Sequence, residues 1–180
     1  MTKNITEISE SEKKDIFYTL VSPRPIAWIV TESKSGVVNI APFSFYNLIS
    51  TKPVTLMVAI GNKLDGTPKD TLRNIRETGK ATICNVIPAD LEKMKKSGES
   101  LSENESEAEK FGIETEKTFD DFPPRIINST SSIFCTFAGE MEGLQSKTIP
   151  LFLIGAKLHL GDEVSEIQQI ATTKNGYGEC

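Results

Sequence analysis

Short apolar runs separated by turn signals dominate the chain and predict strands. Ile26 to Thr31 is rich in β-branched residues, and the hairpin signal Ser33-Lys34-Ser35-Gly36 follows it, so Val37 to Ile40 is the expected return strand. The continuous apolar run from Val54 to Ile60 lies between a proline and a glycine and predicts a buried strand. Further strands are expected at residues 81–87, 126–127, 133–140 and 151–160.

Helices are predicted between some of these strands. Ser9 or Ser11 can cap a first helix, whose apolar face would be Ile16, Phe17 and Leu20. Thr67 is the expected N-cap of a second helix, with Pro68 at its first position and Gly79 at its end. A third should start at Pro88, with Leu91 and Met94 facing the core.

The overall pattern is mostly β with helical decorations, and the many short antiparallel strands favour a barrel. A length of 180 residues fits one domain over residues 1–180, with a barrel core at about residues 15–170. The polar stretch from Lys95 to Lys110 is interpreted as a solvated loop or an exposed short helix, and the tail from Thr172 shows no clear pattern.

Composition narrows the function classes. The net charge of -5 and the pI of about 5.1 argue against a nucleic-acid surface. No apolar run reaches the length of about 18 residues that a membrane helix needs, and the polar stretch from Met1 to Asp15 is unlike a signal peptide. We therefore expect a cytoplasmic protein.

The cysteines and the histidine make several kinds of site improbable. Three cysteines without a C-x-x-C spacing predict neither a disulfide framework nor a zinc site, and Cys84 and Cys135 are expected to be buried as small hydrophobes. The one histidine, His159, ends an apolar strand and is expected to be structural. No G-x-S-x-G motif accompanies it, and no metal-ligand cluster can be formed.

The helix start from Thr67 to Thr71 is the first candidate for chemistry. Free N–H groups at a helix N-terminus favour an anion, and Lys69 adds a charge while Thr71 adds a hydroxyl donor. A phosphate would fit there. The alternative is an ordinary capped helix with a solvated lysine.

The second candidate is the segment from Asn39 to Ser44. Pro42 is expected to break regular strand pairing and so to free backbone groups for a ligand, with Asn39 and Ser44 as polar partners. Phe43, Phe45 and Tyr46 offer flat surfaces for a ring. The alternative is a cluster of aromatic residues that only lines the core.

Two further residues carry open alternatives. Trp28, the one tryptophan, alternates with Ile26 and Val30 and is expected to pack in a core or an interface. Arg24 lies between Pro23 and Pro25, and it is expected to bind an anion, to contact a neighbouring chain, or to pair with a carboxylate.

Taken in order, three runs resemble the flavin reductase-like family, whose fold is the FMN-binding split β-barrel. These runs are S-P-R-P-I-A-W-I-V-T at residues 22–31, N-I-A-P-F-S-F-Y-N at 39–47 and K-D-T-L-R-N-I at 69–75. The similarity covers residues 15–88 and extends to about residue 160. The tail at residues 174–178 departs from the family's glycine-rich C-terminal run.

The resemblance implies a homodimer with one FMN per subunit at or near the dimer interface. The strand and bend would line the isoalloxazine and ribityl groups, and the helix start would hold the phosphate. The implied cofactor-binding residues are Trp28, Ile29, Val30, Thr31, Asn39, Ala41, Pro42, Phe43, Ser44, Tyr46, Lys69, Asp70 and Thr71.

The implied activity is that of an FMN-dependent oxidoreductase. A flavin reductase would take a hydride from NAD(P)H and pass electrons through FMN to free flavin, a small molecule or an acceptor protein. The flavin would carry the chemistry, so no catalytic side chain is expected. The alternative is an FMN-binding electron carrier without NAD(P)H activity.

Overall fold

The structure is a computed structural model that describes residues 2, 4–141, 146–161, 170–173 and 176–179. Strands outnumber helices in it, as the apolar pattern predicts. The helices are α1 (Glu10–Leu20), α2 (Asp70–Thr78), α3 (Leu91–Lys96) and α4 (Glu107–Phe111). The strands are β1 (Arg24–Pro25), β2 (Ala27–Glu32), β3 (Val38–Phe43), β4 (Tyr46–Thr51), β5 (Val54–Gly61), β6 (Lys80–Cys84), β7 (Thr115–Glu116), β8 (Arg125–Ile126), β9 (Ser131–Glu140), β10 (Thr148–Leu160), β11 (Ile170–Thr173) and β12 (Gly176–Glu179).

Seven antiparallel strands form the main sheet in the order β3-β2-β6-β9-β10-β5-β4. The sheet curls so that β5 approaches β3, and its concave side encloses a core that includes Ile29, Val58 and Leu153. Leu72 and Ile75 of α2 are fully buried in the same core. The result is a split barrel with one helix packed into its interior.

A second core covers the outer face of β2. Trp28 and Val30 point away from the barrel interior because side chains alternate along a strand. They pack with Met94 of α3 and with Ile113 and Ile126. Strand β2 is therefore buried on both faces, and its ring and aliphatic side chains are not available to solvent.

Several local predictions are confirmed. Gly79 ends α2 with φ 71°, a left-handed conformation that favours glycine. Cys84 and Cys135 are buried and unpaired with each other, and burial raises the pKa of Cys135 to about 12. Ser9 caps α1 through a capping box with Glu12.

The predicted apolar face of α1 is not covered. Ile16, Phe17 and Leu20 are 37%, 39% and 71% exposed, and α1 has no buried residue. Strands β4 and β5 also expose Leu48 and Val54. These side chains leave apolar surface in contact with solvent.

The C-terminal part forms a small sheet in the order β1-β11-β12. Arg24 pairs with Thr172, and Tyr177 pairs with the same residue from the other side. The tail therefore contains a strand pair where its sequence shows no pattern. The sequence also predicts a weak helix or strand from Asp162 to Ile170; residues 162–169 lie outside the described residues, and Ile170 begins β11.

Two predictions for the site region are wrong. Pro42 does not break strand pairing, because it pairs with Trp28 in an unbroken β2–β3 ladder. Strand β3 is at the edge of the sheet, so the N–H that proline lacks is not needed to bond a further strand. Thr67 is not a helix cap, because its N–H and hydroxyl both donate to Asp65 Oδ1 at 2.9 and 2.6 Å. The α2 helix instead begins at Asp70, with Lys69 as its N-cap residue and no side-chain cap.

The segment from Lys95 to Lys110 is mostly exposed, as predicted, but Ser97, Ser106 and Glu107 are buried. Ser106 Oγ donates to the Val38 carbonyl at 2.6 Å, and Glu107 Oε2 accepts the Ile40 N–H at 2.9 Å. Two polar side chains of this segment thus bond to the outer edge of β3. Within the described ranges, no helix is long and apolar enough to cross a membrane.

Candidate functional site

A buried polar cluster joins α2 to the β2–β3 hairpin. Asn39 Nδ2 donates to Thr71 Oγ1 at 2.9 Å and to Thr31 Oγ1 at 3.2 Å, and Asn74 Nδ2 donates to Thr31 Oγ1 at 3.2 Å. All four side chains are at least nine-tenths buried. The cluster fixes the first turn of α2 against β3, because each bond would otherwise leave a buried polar group unpaired.

The start of α2 combines free backbone donors with charged side chains. Asp70 binds Lys63 at 2.9 Å and Arg73 at 2.7 Å, so two cations occupy its carboxylate. Lys69 is exposed, and its Nζ lies 6.0 Å from the centre of the Phe43 ring. No carboxylate within the described residues lies within ion-pair distance of Lys69. Its charge is available to an anion.

A narrow groove of about 50 Å³ lies between this helix start, β3 and residues 97–101. It brings together Asn39, Ala41, Lys69, Asp70 and Thr71 from the predicted site. Its size suits a phosphate group and is too small for an isoalloxazine ring, since pockets for drug-sized ligands usually measure about 300–1,000 Å³.

The far wall of the groove was missed by the sequence reasoning. Ser97 Oγ accepts the Trp28 indole N–H at 2.9 Å and donates to the Met94 carbonyl at 2.8 Å. A Cβ at Gly98 would lie 3.5 Å from the Pro42 ring, so the chain passes close to β3 there. The polarity of this segment gave no signal of its position, because it depends on contacts distant in sequence.

Glu107 adds a buried carboxylate to the same groove. Burial raises the pKa of Glu107, and the neighbouring Asp70 carboxylate raises it further, while the Ile40 N–H opposes the shift. Three acidic residues, Asp70, Glu99 and Glu107, therefore line the same small space as the cations Lys63 and Lys69.

The residues predicted for the ring side are dispersed. Trp28, Ile29, Val30 and Thr31 are buried, so the structure does not bring their side chains to the groove. Phe43 is 8% exposed in the barrel core.

Two more of these residues lie in different surroundings. Pro42 is half-buried and touches the 97–101 segment. Burial, and secondarily Cys135, raises the pKa of the half-buried Tyr46 to about 12.

Ser44 lines a second, larger cleft of about 530 Å³. Arg24, Tyr18 and Tyr177 form parts of its wall. Of the three alternatives for Arg24, the carboxylate pair is not found within the described part of the chain; its Nη1 donates instead to the Tyr18 and Val21 carbonyls at 3.0 and 2.6 Å.

His159 lies apart from the groove. It pairs with Ser132 on β9, and β2, β6 and β9 separate its strand from β3 along the sheet. Among the described residues, no group of histidine, cysteine and carboxylate side chains could hold a metal ion.

Solved structures with the same fold come from several redox systems. Nitrilotriacetate monooxygenase component B from Bacillus cereus has a TM-score of 0.90 at 20% identity and is matched over 100% of this chain and 95% of its own. The 2-nitrobenzoate 2-nitroreductase NbaA of Pseudomonas fluorescens has a TM-score of 0.87 at 21% identity, over 99% and 91% of the two chains. At these identities the likeness shows the split-barrel fold alone.

Sequence relatives are closer but uncharacterised. A protein of Halalkalibacterium halodurans is 42% identical over 113 residues, which are 63% of this chain and 54% of that protein. One from Aquifex aeolicus is 40% identical over 116 residues, or 64% and 59% of the two chains. The matched region thus spans only between half and three fifths of these relatives. The flavin reductase like domain matches residues 20–160, and the chain therefore belongs to the flavin reductase-like family.

Proposed function

We propose that this protein is an FMN-binding oxidoreductase of the NAD(P)H-dependent flavin reductase type. The observation that carries the proposal is the phosphate-sized groove at the start of α2, where Lys63 and Lys69 meet Asn39 and Thr71. Membership of the flavin reductase-like family and the redox roles in the names of the structural neighbours support it.

The groove provides three kinds of donor for a phosphate. The first turn of α2 has N–H groups without helical acceptors, at the positive end of the helix dipole. Thr71 Oγ1 accepts a hydrogen bond from Asn39, so its own hydroxyl proton remains to be donated. Lys69 supplies the full charge. These donors suit the terminal phosphate of FMN.

The ring and ribityl groups would lie outside the groove, along β3 from Ala41 to Ser44. No strand pairs with the outward edge of β3 there, because β3 is the first strand of the sheet. The bound flavin would supply the redox chemistry, and the protein would bind and orient it. No side chain is assigned a catalytic role.

A homodimer is part of this proposal. The exposed apolar residues Leu20, Leu48 and Ile49 are 71%, 51% and 53% exposed. A second copy that covers α1 and β4 would remove this surface from water and would bring more of the protein around the flavin ring.

Flavin binding and reduction can be tested separately. FMN and FAD are first titrated into the purified protein. Tighter binding of FMN is expected because the groove has room for a single terminal phosphate. NADH and NADPH are then added in the absence of oxygen. The absorbance at ~450 nm, which is characteristic of oxidised flavin, is followed. Bleaching by either nucleotide supports a reductase. Bound FMN that only dithionite bleaches would identify an electron carrier, and a protein without flavin affinity would refute the proposal.

A further inference from the structure

The 530 Å³ cleft beside Ser44 is separate from the phosphate-sized groove. Its walls come from the last turns of α1, from β1 and from the β11–β12 pair. It has the volume of an ordinary small-molecule site, ten times that of the groove. Ser44 follows β3 directly, so the cleft opens next to the strand along which we place the flavin ring.

Arg24 is the charged residue that the cleft buries most deeply. Its side chain is 9% exposed, and Nη1 makes both hydrogen bonds that the structure gives the guanidinium, to carbonyls at the end of α1. Its Nε is buried and has no partner among the described residues. A guanidinium has five N–H donors, so this arginine has capacity for an acceptor that the protein does not provide.

Aromatic side chains accompany this charge. The Tyr18 ring lies 4.7 Å from the Arg24 guanidinium, and Tyr177, which is 43% exposed, lines the cleft from β12. Lys14 and Lys95 lie within 6 Å of these two rings, whereas Asp15 is the carboxylate in the wall. The surroundings thus combine flat apolar faces with an excess of positive charge.

We propose that this cleft binds a small aromatic carboxylate, with the carboxylate on Arg24 and the ring between Tyr18 and Tyr177. Arginine binds carboxylates through paired N–H donors, and tyrosine rings stack on aromatic ligands. The ligand's position beside the flavin rests on the proposed function, but its binding to the cleft does not. The cleft is then a ligand site next to the strand along which the flavin is placed.

Binding is measured by calorimetry with benzoate and with neutral benzamide, on the FMN-loaded and the FMN-free protein. Benzoate should bind at least about tenfold more tightly than benzamide, since only benzoate carries the charge that Arg24 would pair. Benzoate binding to FMN-free protein separates this inference from the flavin proposal, which is tested by FMN binding and by reduction with NADH or NADPH.

Two variants test the assigned residues. Arg24→Gln should weaken benzoate binding about tenfold or more, and Tyr177→Ala, at an exposed position that leaves the core intact, should weaken it several-fold. Arg76→Gln is the matched control, because its guanidinium pairs with Glu140 at the far end of α2. Equal binding of benzoate and benzamide, or unchanged affinity in both variants, would overturn the inference. Displacement of benzoate by NADH from FMN-free protein would reassign the cleft to a nucleotide and overturn it as well.

Discussion

Asn39→Ala tests whether the polar cluster between β3 and α2 is a structural support of the site. The substitution removes two hydrogen bonds, to Thr71 at 2.9 Å and to Thr31 at 3.2 Å. Each net bond contributes about 1 kcal/mol, and a buried hydroxyl left without its donor costs about 1–3 kcal/mol more. Thr31 retains the bond from Asn74, so the second penalty applies to Thr71 alone. We expect the free energy of unfolding to fall by about 3–5 kcal/mol.

The measurement is urea unfolding followed by circular dichroism, with Asn62→Ala as the control. Asn62 is exposed, and a surface change of this kind usually alters stability by less than about 0.5 kcal/mol. A loss for Asn39→Ala no larger than that of the control would refute the reasoning, because the cluster would then not hold α2 in place.

Three other predictions concern the groove and its wall. Lys69→Ala should weaken FMN binding by about 1.5 kcal/mol, which is the lower end for a charge-assisted hydrogen bond because the side chain is exposed. Lys34→Ala, on the hairpin turn, is the control and should not change the affinity. Equal affinities of the two variants in a fluorescence titration would remove Lys69 from the site. Glu107→Gln should flatten the pH dependence of stability. The pKa of Glu107 is raised, so the folded protein binds this proton more tightly than the unfolded protein does. Wild-type stability therefore falls as pH rises from the ordinary pKa of 4.5 through the folded-state pKa. Urea midpoints measured across this range should show this contribution of Glu107 in the wild type and not in the variant. Ser97→Ala should lower stability by about 1–3 kcal/mol, because the buried Trp28 N–H loses its acceptor, and tryptophan fluorescence during unfolding measures this directly.

Local patterns predicted much of the fold. The β2–β3 hairpin, the end of α2 at Gly79 and the buried cysteines follow from features within a few residues of one another. The position of Pro42 could not be predicted in this way. Its tolerance depends on β3 being an edge strand, and strand order is set by pairing between distant parts of the chain.

The groove at the start of α2 was predicted in composition more than in arrangement. Lys69, Thr71 and Asn39 do line one groove. The helix starts later than expected, because the Thr67 hydroxyl donates to Asp65 and does not cap the helix. The contributions of Ser97 and Glu107 were hidden, since a polar segment that bonds to a strand edge has the same composition as a solvated loop. Burial on both faces of β2 likewise follows only from the packing of α3 and α4.

The edge of β3 has a consequence for how the folded chain behaves in concentrated solution. An open edge strand is a template on which another chain can add by backbone hydrogen bonding, and this is a route to aggregation. Here three alternate positions are closed in turn: the Val38 carbonyl is taken by Ser106, the Ile40 N–H by Glu107, and Pro42 has no N–H to offer. Unwanted strand addition at this side of the sheet is thereby blocked, next to the groove that we propose for the FMN phosphate.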